Sequence, residues 1–287
     1  MEQALREEIC RFVREDGGNC FPDSRERYFD DPLIGFSAAA DSLFTEYKSV
    51  IGAFHLTPSE LVSASTPEDL WVPATVVCWV LPITDKTRAS NRSESVYPSR
   101  EWTETRNFGE PFNTSLRRHM ITWLTERGYR ASAPQLMTAW REMGETDVGI
   151  ASTWSERHAA YASGLGTFSL TDALITPKGI AHRLGSVITD LILEPSRRPY
   201  PERRANCLHY RENTCGACIG RCPVGALSRD GHDKYKCRSY VYGAIPDAVG
   251  ARYGVAATGC GLCQTKVPCE GKIPAGRDPY PYQEPPA

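Results

Sequence analysis

Cysteine dominates the last third of this sequence more than any other feature. Eight of the eleven cysteines in the 287-residue chain lie between residues 207 and 269. They are Cys207, Cys215, Cys218, Cys222, Cys237, Cys260, Cys263 and Cys269. Three of them, together with Pro223, form a C-x2-C-x3-C-P run. Because cysteines this closely grouped are improbable as separate core residues, the pattern predicts a C-terminal region built around metal ligands.

The C-x2-C-x3-C-P run matches the last three-quarters of the motif with which bacterial ferredoxins bind [4Fe–4S] clusters. In two-cluster ferredoxins the cysteine before the proline ligates the other cluster, so eight thiolates hold two clusters. By the same crossover, we predict that the first cluster is held by Cys207, Cys215, Cys218 and Cys269. The second cluster is then held by Cys222, Cys237, Cys260 and Cys263.

Alternatives to clusters explain the cysteine pattern less well. Zinc would accept the C-x2-C pairs, but zinc ribbons pair two such knuckles and make no use of C-x3-C-P. A disulfide framework is typical of small secreted chains, whereas the start of this sequence has no apolar signal segment. Two spacings depart from the ferredoxin motif: seven residues separate Cys207 from Cys215, and five separate Cys263 from Cys269. Both stretched gaps bear on the predicted first cluster.

Composition places few other limits on function. Hydrophobic residues make up 41% of the chain and charged residues 24%, and the net charge of −2 gives no general attraction to nucleic acid. The longest apolar runs are too short to cross a bilayer, so no membrane partner is expected. Reduced thiolates and oxygen-sensitive clusters predict a reducing, cytoplasmic location.

The first two-thirds of the chain has the patterning of an α+β domain. Apolar residues at helical spacing predict a helix over 2–14, and the apolar run Ala74–Leu81 predicts a central strand buried on both faces. The polar segment 84–106 is long for a connection, which indicates a mobile region or a lid. Asn113 is predicted to cap a helix that Gly128 ends.

Residues 153–193 predict a helix, a glycine loop and two strands. Thr153 and Glu156 form a capping box, and Gly164-Leu-Gly166 ends the helix and allows a backbone to approach a flat ligand. The strands are predicted over 172–176 and 185–193. The arginine- and proline-rich segment 195–204 is then a solvated linker.

The order of these motifs resembles the cobalamin-dependent epoxyqueuosine reductases and, more distantly, the reductive dehalogenases. The resemblance rests on the glycine loop, the strand at 185–193, the C-G-x-C-x3-C-P run, Cys237-Arg-Ser-Tyr240 and Gly259-Cys-Gly-Leu-Cys263. It implies an α+β fold with a nitroreductase-like, cobalamin-binding N-terminal domain and a two-cluster ferredoxin-like domain. The expected boundaries are 1–194 for the first domain, 195–204 for the linker, 205–272 for the cluster domain and 273–287 for a Pro-rich tail.

The resemblance also implies a cofactor site, with departures. The residues that match the family's corrin-binding segments are Gly164, Leu165, Gly166, Thr167, Phe168, Ser169, Arg183, Gly185 and Ser186. The position of the family's catalytic Asp is Ile150 here, so another proton donor is required. The candidates for that catalytic role are His158, Tyr161 and Asp147.

Two functions follow as hypotheses. The first is a reductase in which two [4Fe–4S] clusters and cobalamin reduce a small molecule or a modified base. The second is an electron carrier or reductive activator that docks a partner enzyme, which the loss of the Asp favours. A ferredoxin or flavodoxin is the expected electron donor, and the net charge weakens the case for tRNA as substrate.

Overall fold

The computed structural model describes residues 1–200, 202–256 and 258–276. The helices are α1 (Glu2–Glu15), α2 (Ser42–Val50), α3 (Pro58–Ser65), α4 (Asp85–Arg92), α5 (Arg100–Thr125), α6 (Glu156–Ala162), α7 (Leu208–Glu212), α8 (Ala217–Arg221), α9 (Lys234–Ser239) and α10 (Ala251–Tyr253). The strands are β1 (Leu33–Ala38), β2 (Thr75–Pro82), β3 (Ala131–Ser132), β4 (Glu142–Met143), β5 (Ala151–Ser152), β6 (Thr167–Phe168), β7 (Leu174–Ile175) and β8 (His182–Thr189). Within these ranges, none of the helices combines the length and the apolar character that a membrane span requires.

A four-stranded antiparallel sheet, in the order β1, β2, β8, β3, forms the centre of the N-terminal region. Every residue of β2 is buried, which confirms the prediction of a strand covered on both faces. Successive side chains of a strand point to opposite faces. Val77 and Trp79 pack with α1 and α5 on one face, and Val76 and Cys78 pack with α2, α3 and α6 on the other. The region is therefore a sheet between two helical layers, and the fold class is α+β.

The segment 84–106, predicted to be mobile or a lid, is largely helical. It contains α4 and the start of α5, which Ser99 caps by accepting a hydrogen bond from a backbone amide. Asn113, predicted to cap a helix, lies buried inside α5 and donates to the carbonyl of Leu184 at 2.8 Å. The prediction of a helix cap at Asn113 was wrong because its amide bonds to β8 within a longer helix, and that of a lid over 84–106 stays a prediction.

The predicted capping box of α6 is also displaced. Ser155, not Thr153, is the N-cap, and its hydroxyl accepts a hydrogen bond from the backbone amide of His158. Thr153 donates instead to the carbonyl of Ala139 at 2.9 Å. Glu156 accepts a hydrogen bond from Arg117 at 3.3 Å, so its carboxylate forms a buried ion pair and does not take the capping role predicted for it.

The connection between the two regions is packed against the sheet. Ser196 and Phe36 exchange two hydrogen bonds of 2.9 Å, and Arg198 forms an ion pair with Asp41. Ser196 is therefore tied to β1, whereas Arg198 stays exposed, and the boundaries of the linker over 195–204 stay a prediction. Residues 277–287, most of the predicted Pro-rich tail, lie outside the described ranges.

Short helices form the C-terminal region, and side chains tie it to the rest of the chain. Arg221, in α8, donates to the carbonyls of Leu262 and Thr265 at 3.1 Å and to that of Glu94 at 2.7 Å. One guanidinium group thus holds the cysteine segments 215–222 and 260–269 against the end of α4. The C-terminal region is fixed in place by these bonds.

Candidate functional site

Two cavities are each lined by four of the eight clustered cysteines. The first cavity, of about 30 Å³, is lined by Cys207, Cys215, Cys218 and Cys269. The second cavity, of about 230 Å³, is lined by Cys222, Cys237, Cys260 and Cys263. These are the two groups that the crossover spacing predicts. Helix α8 links the cavities, because Cys218 lies in it and Cys222 follows it directly.

The buried thiols need a positive charge before they ionise. Burial, with the other cysteines of each cavity, raises the pKa of Cys218 to about 11 and that of Cys260 to about 12. Burial also raises the pKa of Cys263 and Cys269. A bound metal centre supplies the missing charge, because coordination deprotonates a thiol. No three His, Cys, Asp or Glu side chains of the described residues are placed to hold a metal ion together, and a [4Fe–4S] cluster needs its four thiolates further apart than one ion does.

The second cavity also reaches the N-terminal region. Trp102 of α5 and His182 and Arg183 of β8 contribute to its wall. Arg183 forms an ion pair with Glu110, and burial lowers the pKa of His182 to about 4. The second group of cysteines therefore lies where the sheet, the long helix and the C-terminal region meet.

A larger cavity of about 600 Å³ opens beside the sheet. Aromatic and apolar side chains, including Trp140, Phe168 and Ile150, form part of its wall. Four cationic side chains also line it: Arg157, Arg203, Arg204 and Lys234. Pockets of this size and mixed lining are typical of small-molecule and cofactor sites.

The three residues predicted as catalytic are divided. His158 and Tyr161 line the large cavity, whereas Asp147 lies exposed in a turn and does not. The Nδ1 atom of His158 is 2.8 Å from the hydroxyl of Ser155, and burial lowers the pKa of His158 well below its usual value. Burial raises the pKa of Tyr161. Both rings are therefore neutral near pH 7, and Tyr161 is the one that keeps a dissociable proton.

The residues predicted to bind a cofactor are more scattered. Phe168 and Ser169 line the large cavity, and Arg183 lines the second cysteine cavity. Leu165, Thr167 and Ser186 are buried in the core, and the remaining members of the set are Gly164, Gly166 and Gly185.

The three glycines of the predicted set are explained by packing within the protein. A Cβ atom at Gly164 would collide with the carbonyl of Arg197, and one at Gly166 would lie 2.6 Å from the carbonyl of Ile175. A Cβ atom at Gly185 would lie 2.5 Å from the ring of Trp79. Close packing within this chain therefore accounts for the three glycines, and the approach of the glycine loop to a cofactor stays a prediction.

The turn between β6 and β7, residues 169–172, borders all three cavities, although only Ser169 of it was among the predicted site residues. Ser169 lines the large cavity and the first cysteine cavity, Thr171 lines both cysteine cavities, and Asp172 lines the large one. The Oδ2 atom of Asp172 is 3.2 Å from Nδ1 of His232, which lines the second cavity. Burial would lower the pKa of His232, but hydrogen bonds with Asp172 and Cys237 raise it to about 9. His232 lies five residues before Cys237 in the sequence, and this short spacing was the one signal that could have marked it as a site residue.

The solved structures similar to this chain include two kinds of reductase. An epoxyqueuosine reductase from Bacillus subtilis is 20% identical with a TM-score of 0.51, over 97% of this chain and 68% of that one. An epoxyqueuosine reductase with an epoxyqueuosine-modified tRNA stem loop is 19% identical with the same TM-score and coverage. The catabolic reductive dehalogenase NpRdhA is 16% identical with a TM-score of 0.52, over 95% of this chain and 37% of that one.

These similarities define a class by fold. The chain has the α+β fold of the epoxyqueuosine reductases and reductive dehalogenases, which confirms the predicted resemblance at the level of structure. It spans about two-thirds of the length of the epoxyqueuosine reductases and 37% of the dehalogenase. No protein-family model and no curated protein matches the sequence.

Proposed function

We propose that this protein is an iron–sulfur oxidoreductase that uses two [4Fe–4S] clusters and a cobalamin to reduce a small organic or modified-nucleoside substrate. The observation that carries the proposal is the division of eight cysteines between two cavities that adjoin a third, larger one. The turn 169–172 borders all three, and its ends are at most about 11 Å apart. When bound, the clusters would supply one-electron carriers of low potential.

The proposal includes a division of labour along the chain. Residues 1–194 would form the nitroreductase-like domain, and residues 205–272 would form the ferredoxin-like domain with its two ligand sets. Bonds such as those of Arg221 support a fixed distance between the domains. A fixed distance favours electron transfer, because no domain movement is then needed at each turnover. The external donor would be a ferredoxin or a flavodoxin.

The lining of the large cavity suits part of a cobalamin, namely a face of its ring and its phosphate group. Phe168 and Trp140 offer flat apolar faces, and Arg203 and Arg204 offer positive charge for a phosphate group. When bound, cobalamin would supply a strongly reducing cobalt centre. The protein would hold it, exclude water from it and keep Tyr161 protonated beside it, since burial raises the pKa of that phenol.

Four cationic side chains and three acidic ones, Glu46, Glu142 and Asp172, line the large cavity, so positive charge is in slight excess there. Arg157 and Lys234 form hydrogen bonds with backbone carbonyls and lie near Asp172. They would attract a carboxylate or phosphate in competition with that residue. The epoxyqueuosine reductase with a modified tRNA stem loop suggests one such substrate, a modified nucleoside within an RNA, whose phosphates carry the negative charge.

The second candidate function is electron transfer without a substrate, and one observation favours it. Ile150, which replaces the Asp of the resembled family, lines the large cavity. An apolar side chain at this position cannot donate a proton. A carrier or reductive activator would need the two clusters and a docking partner, but no proton donor in the cavity.

Iron content tests the cluster part of the proposal. Protein reconstituted anaerobically with iron and sulfide should contain about eight irons per chain. Cys237→Ser should lose about four irons, whereas Cys10→Ser, outside both cavities, should lose none. Zinc in place of iron, or equal iron in all three proteins, contradicts the proposal.

Titration with cobalamin separates the two functions. Binding should be detected by visible absorption, and the cob(II) form should give a paramagnetic signal in the base-off state. Phe168→Ala should weaken binding at least tenfold, whereas Val72→Ala, with 81% of its side chain exposed, should not. Absence of binding to a fully loaded protein would support the carrier function instead.

A further inference from the structure

Three exposed lysines, which we call the lysine patch, surround the predicted cluster ligand Cys269. Lys266 and Lys272 lie three residues before and three residues after it, so each is within about 11 Å of it along the chain. Lys178 reaches the same place from the turn after β7, because the amide of Ile180 donates to the carbonyl of Cys269 at 2.9 Å. Within the described ranges, none of the three lysines forms an ion pair. The patch therefore offers three positive charges to a partner.

The segment between Cys263 and Cys269 keeps Lys266 exposed. This is the gap of five residues that is longer than in the ferredoxin motif. Lys266 has a φ angle of +57°, a left-handed value that is uncommon for residues other than glycine. Its backbone amide donates to Glu270 at 2.7 Å, and Arg92 forms an ion pair with the same carboxylate at 2.6 Å. Residues held in such backbone regions cluster at functional sites, because the surrounding structure must stabilise them. The extra length of the gap thus forms a fixed, exposed turn beside the first cysteine cavity.

A second fixed turn presents Lys178. The hydroxyl of Thr176 donates to the carbonyl of Gly179 at 2.9 Å and accepts a hydrogen bond from the amide of Lys178 at 3.1 Å. Gly179 has a φ angle of +84°, and a Cβ atom there would collide with the carbonyl of Glu270. This turn therefore packs directly against the segment that carries Cys269, and the backbone of Lys178 is held next to the patch.

Neighbouring charges leave the lysine patch positive. Asp85 and Glu270 belong to the adjoining ion-pair network, and Arg88 and Arg92 balance them. The three lysines are therefore not compensated by that network, although the whole chain has a net charge of −2. A local excess of one sign attracts a partner of the opposite sign and speeds the encounter with it. The patch consequently fits an acidic protein.

We propose that the lysine patch docks an acidic ferredoxin that delivers electrons to the first cluster. The inference rests on the proposed function, because it needs a cluster on Cys207, Cys215, Cys218 and Cys269. One electron leaves the reduced ferredoxin, which becomes oxidised, and the first cluster takes up that electron. A ferredoxin suits this step because its potential is as low as that of the cluster it reduces. The second cysteine cavity adjoins β8 and α5, whereas the patch lies at Cys269 of the first, so electrons enter the protein there.

Binding and reduction of the reconstituted full-length protein test the docking. The double variant Lys266→Glu/Lys272→Glu reverses two charges of the patch. At an ionic strength of about 0.01 M, a biosensor should show that it binds a purified acidic bacterial ferredoxin about tenfold more weakly than wild type. Reduction of the first cluster by that ferredoxin, followed by rapid freezing as the paramagnetic signal that Cys269→Ser removes, should slow by about the same factor. At about 1 M salt, where charges are screened beyond roughly 3 Å, the difference should fall below about twofold.

Matched controls exclude general effects of charge and of cluster loss. Arg118→Glu makes the same change of charge at an exposed position in α5, and it should bind the ferredoxin as wild type does. Reduced methyl viologen needs no docking surface and should reduce the double variant no more slowly than wild type. If the double variant does not retain its iron, Lys178→Glu decides the test, because it lies outside the cysteine segments and should weaken binding about threefold.

The outcomes distinguish the docking from the proposed function. A salt-dependent loss of binding in the patch variants, with Arg118→Glu unchanged, supports the docking. Equal binding by wild type and the patch variants, an equal loss in Arg118→Glu, or binding of a flavodoxin but not of the ferredoxin overturns it while the iron–sulfur function stands. A reconstituted wild-type protein without clusters refutes the proposed function itself, and the docking with it.

Discussion

Glu110 joins the buried Arg117 to Arg183, whose side chain is 23% exposed. Its replacement by Gln is predicted to lower the stability of the sheet region by about 3 kcal/mol. Its carboxylate accepts a hydrogen bond of 2.8 Å from Arg117, whose side chain is 1% exposed, and another from Arg183. Burial alone would raise the pKa of Glu110, but the two guanidinium groups lower it from 4.5 to about 2. A lowering of this size corresponds to about 3 kcal/mol between the ionised and the protonated carboxyl. Gln resembles the protonated form, so Glu110→Gln should lose most of that energy.

Thermal unfolding of the anaerobic protein, followed by tryptophan fluorescence, measures the loss. For a region of this size, about 3 kcal/mol lowers the midpoint by roughly 6 to 12 °C. Because the pKa of Glu110 is lower in the folded than in the unfolded protein, the contribution is complete above pH 4.5 and lost as the pH falls toward 2. The shift should therefore be the same at pH 8 and pH 6. Glu126→Gln, an exposed residue after α5, is the control, and a midpoint of Glu110→Gln within about 2 °C of wild type would refute the argument.

Three further changes have defined outcomes. Gly261 has a φ angle of +62°, and a Cβ atom there would collide with the ring of Trp102, so Gly261→Ala should lose the second cluster but retain the first by iron analysis. His55 is buried, and burial lowers its pKa from 6.5 to about 4. Between pH 7 and pH 5 the unfolded chain therefore binds a proton at this residue that the folded chain does not. In urea unfolding, wild type should lose about 2 kcal/mol more stability over this range than His55→Gln. Arg221→Met removes charged donors from four carbonyls, at about 1 kcal/mol each, and should speed iron release to a chelator about a thousandfold. Arg229→Met, at an exposed position, should not change the rate of release.

The cysteine pattern carried more information than any other part of the sequence. The crossover spacing divided eight cysteines into the same two groups that line separate cavities. The apolar run around Val77 was equally informative, because a strand buried on both faces needs apolar residues at every position. Both patterns are local in the sequence, so they can be recognised without knowing the rest of the fold.

The sequence analysis misjudged polar segments whose side chains form hydrogen bonds with distant parts of the chain. Asn91, within the segment predicted as mobile, is fully buried and its amide donates to the hydroxyl of Thr265 at 3.1 Å. Asn113 bonds similarly to the sheet. Sequence patterns equate polarity with solvent, and partners more than a hundred residues away leave no trace in a local window. Asp172 and His232 were missed for the same reason, since 60 residues separate them.

The turn 169–172 limits how proteins of this architecture can diversify. Its four residues together line all three cavities. An insertion or deletion in the turn would therefore change the distances between the three cavities at once. Substitutions that keep the length change one wall at a time. The exposed stretch around Asp147 is not subject to this constraint. Natural relatives are therefore expected to vary in length there, while the length of the turn stays constant. New substrate specificity would then arise from changes at the entrance of the large cavity, while the turn and the two cysteine cavities behind it stay unchanged.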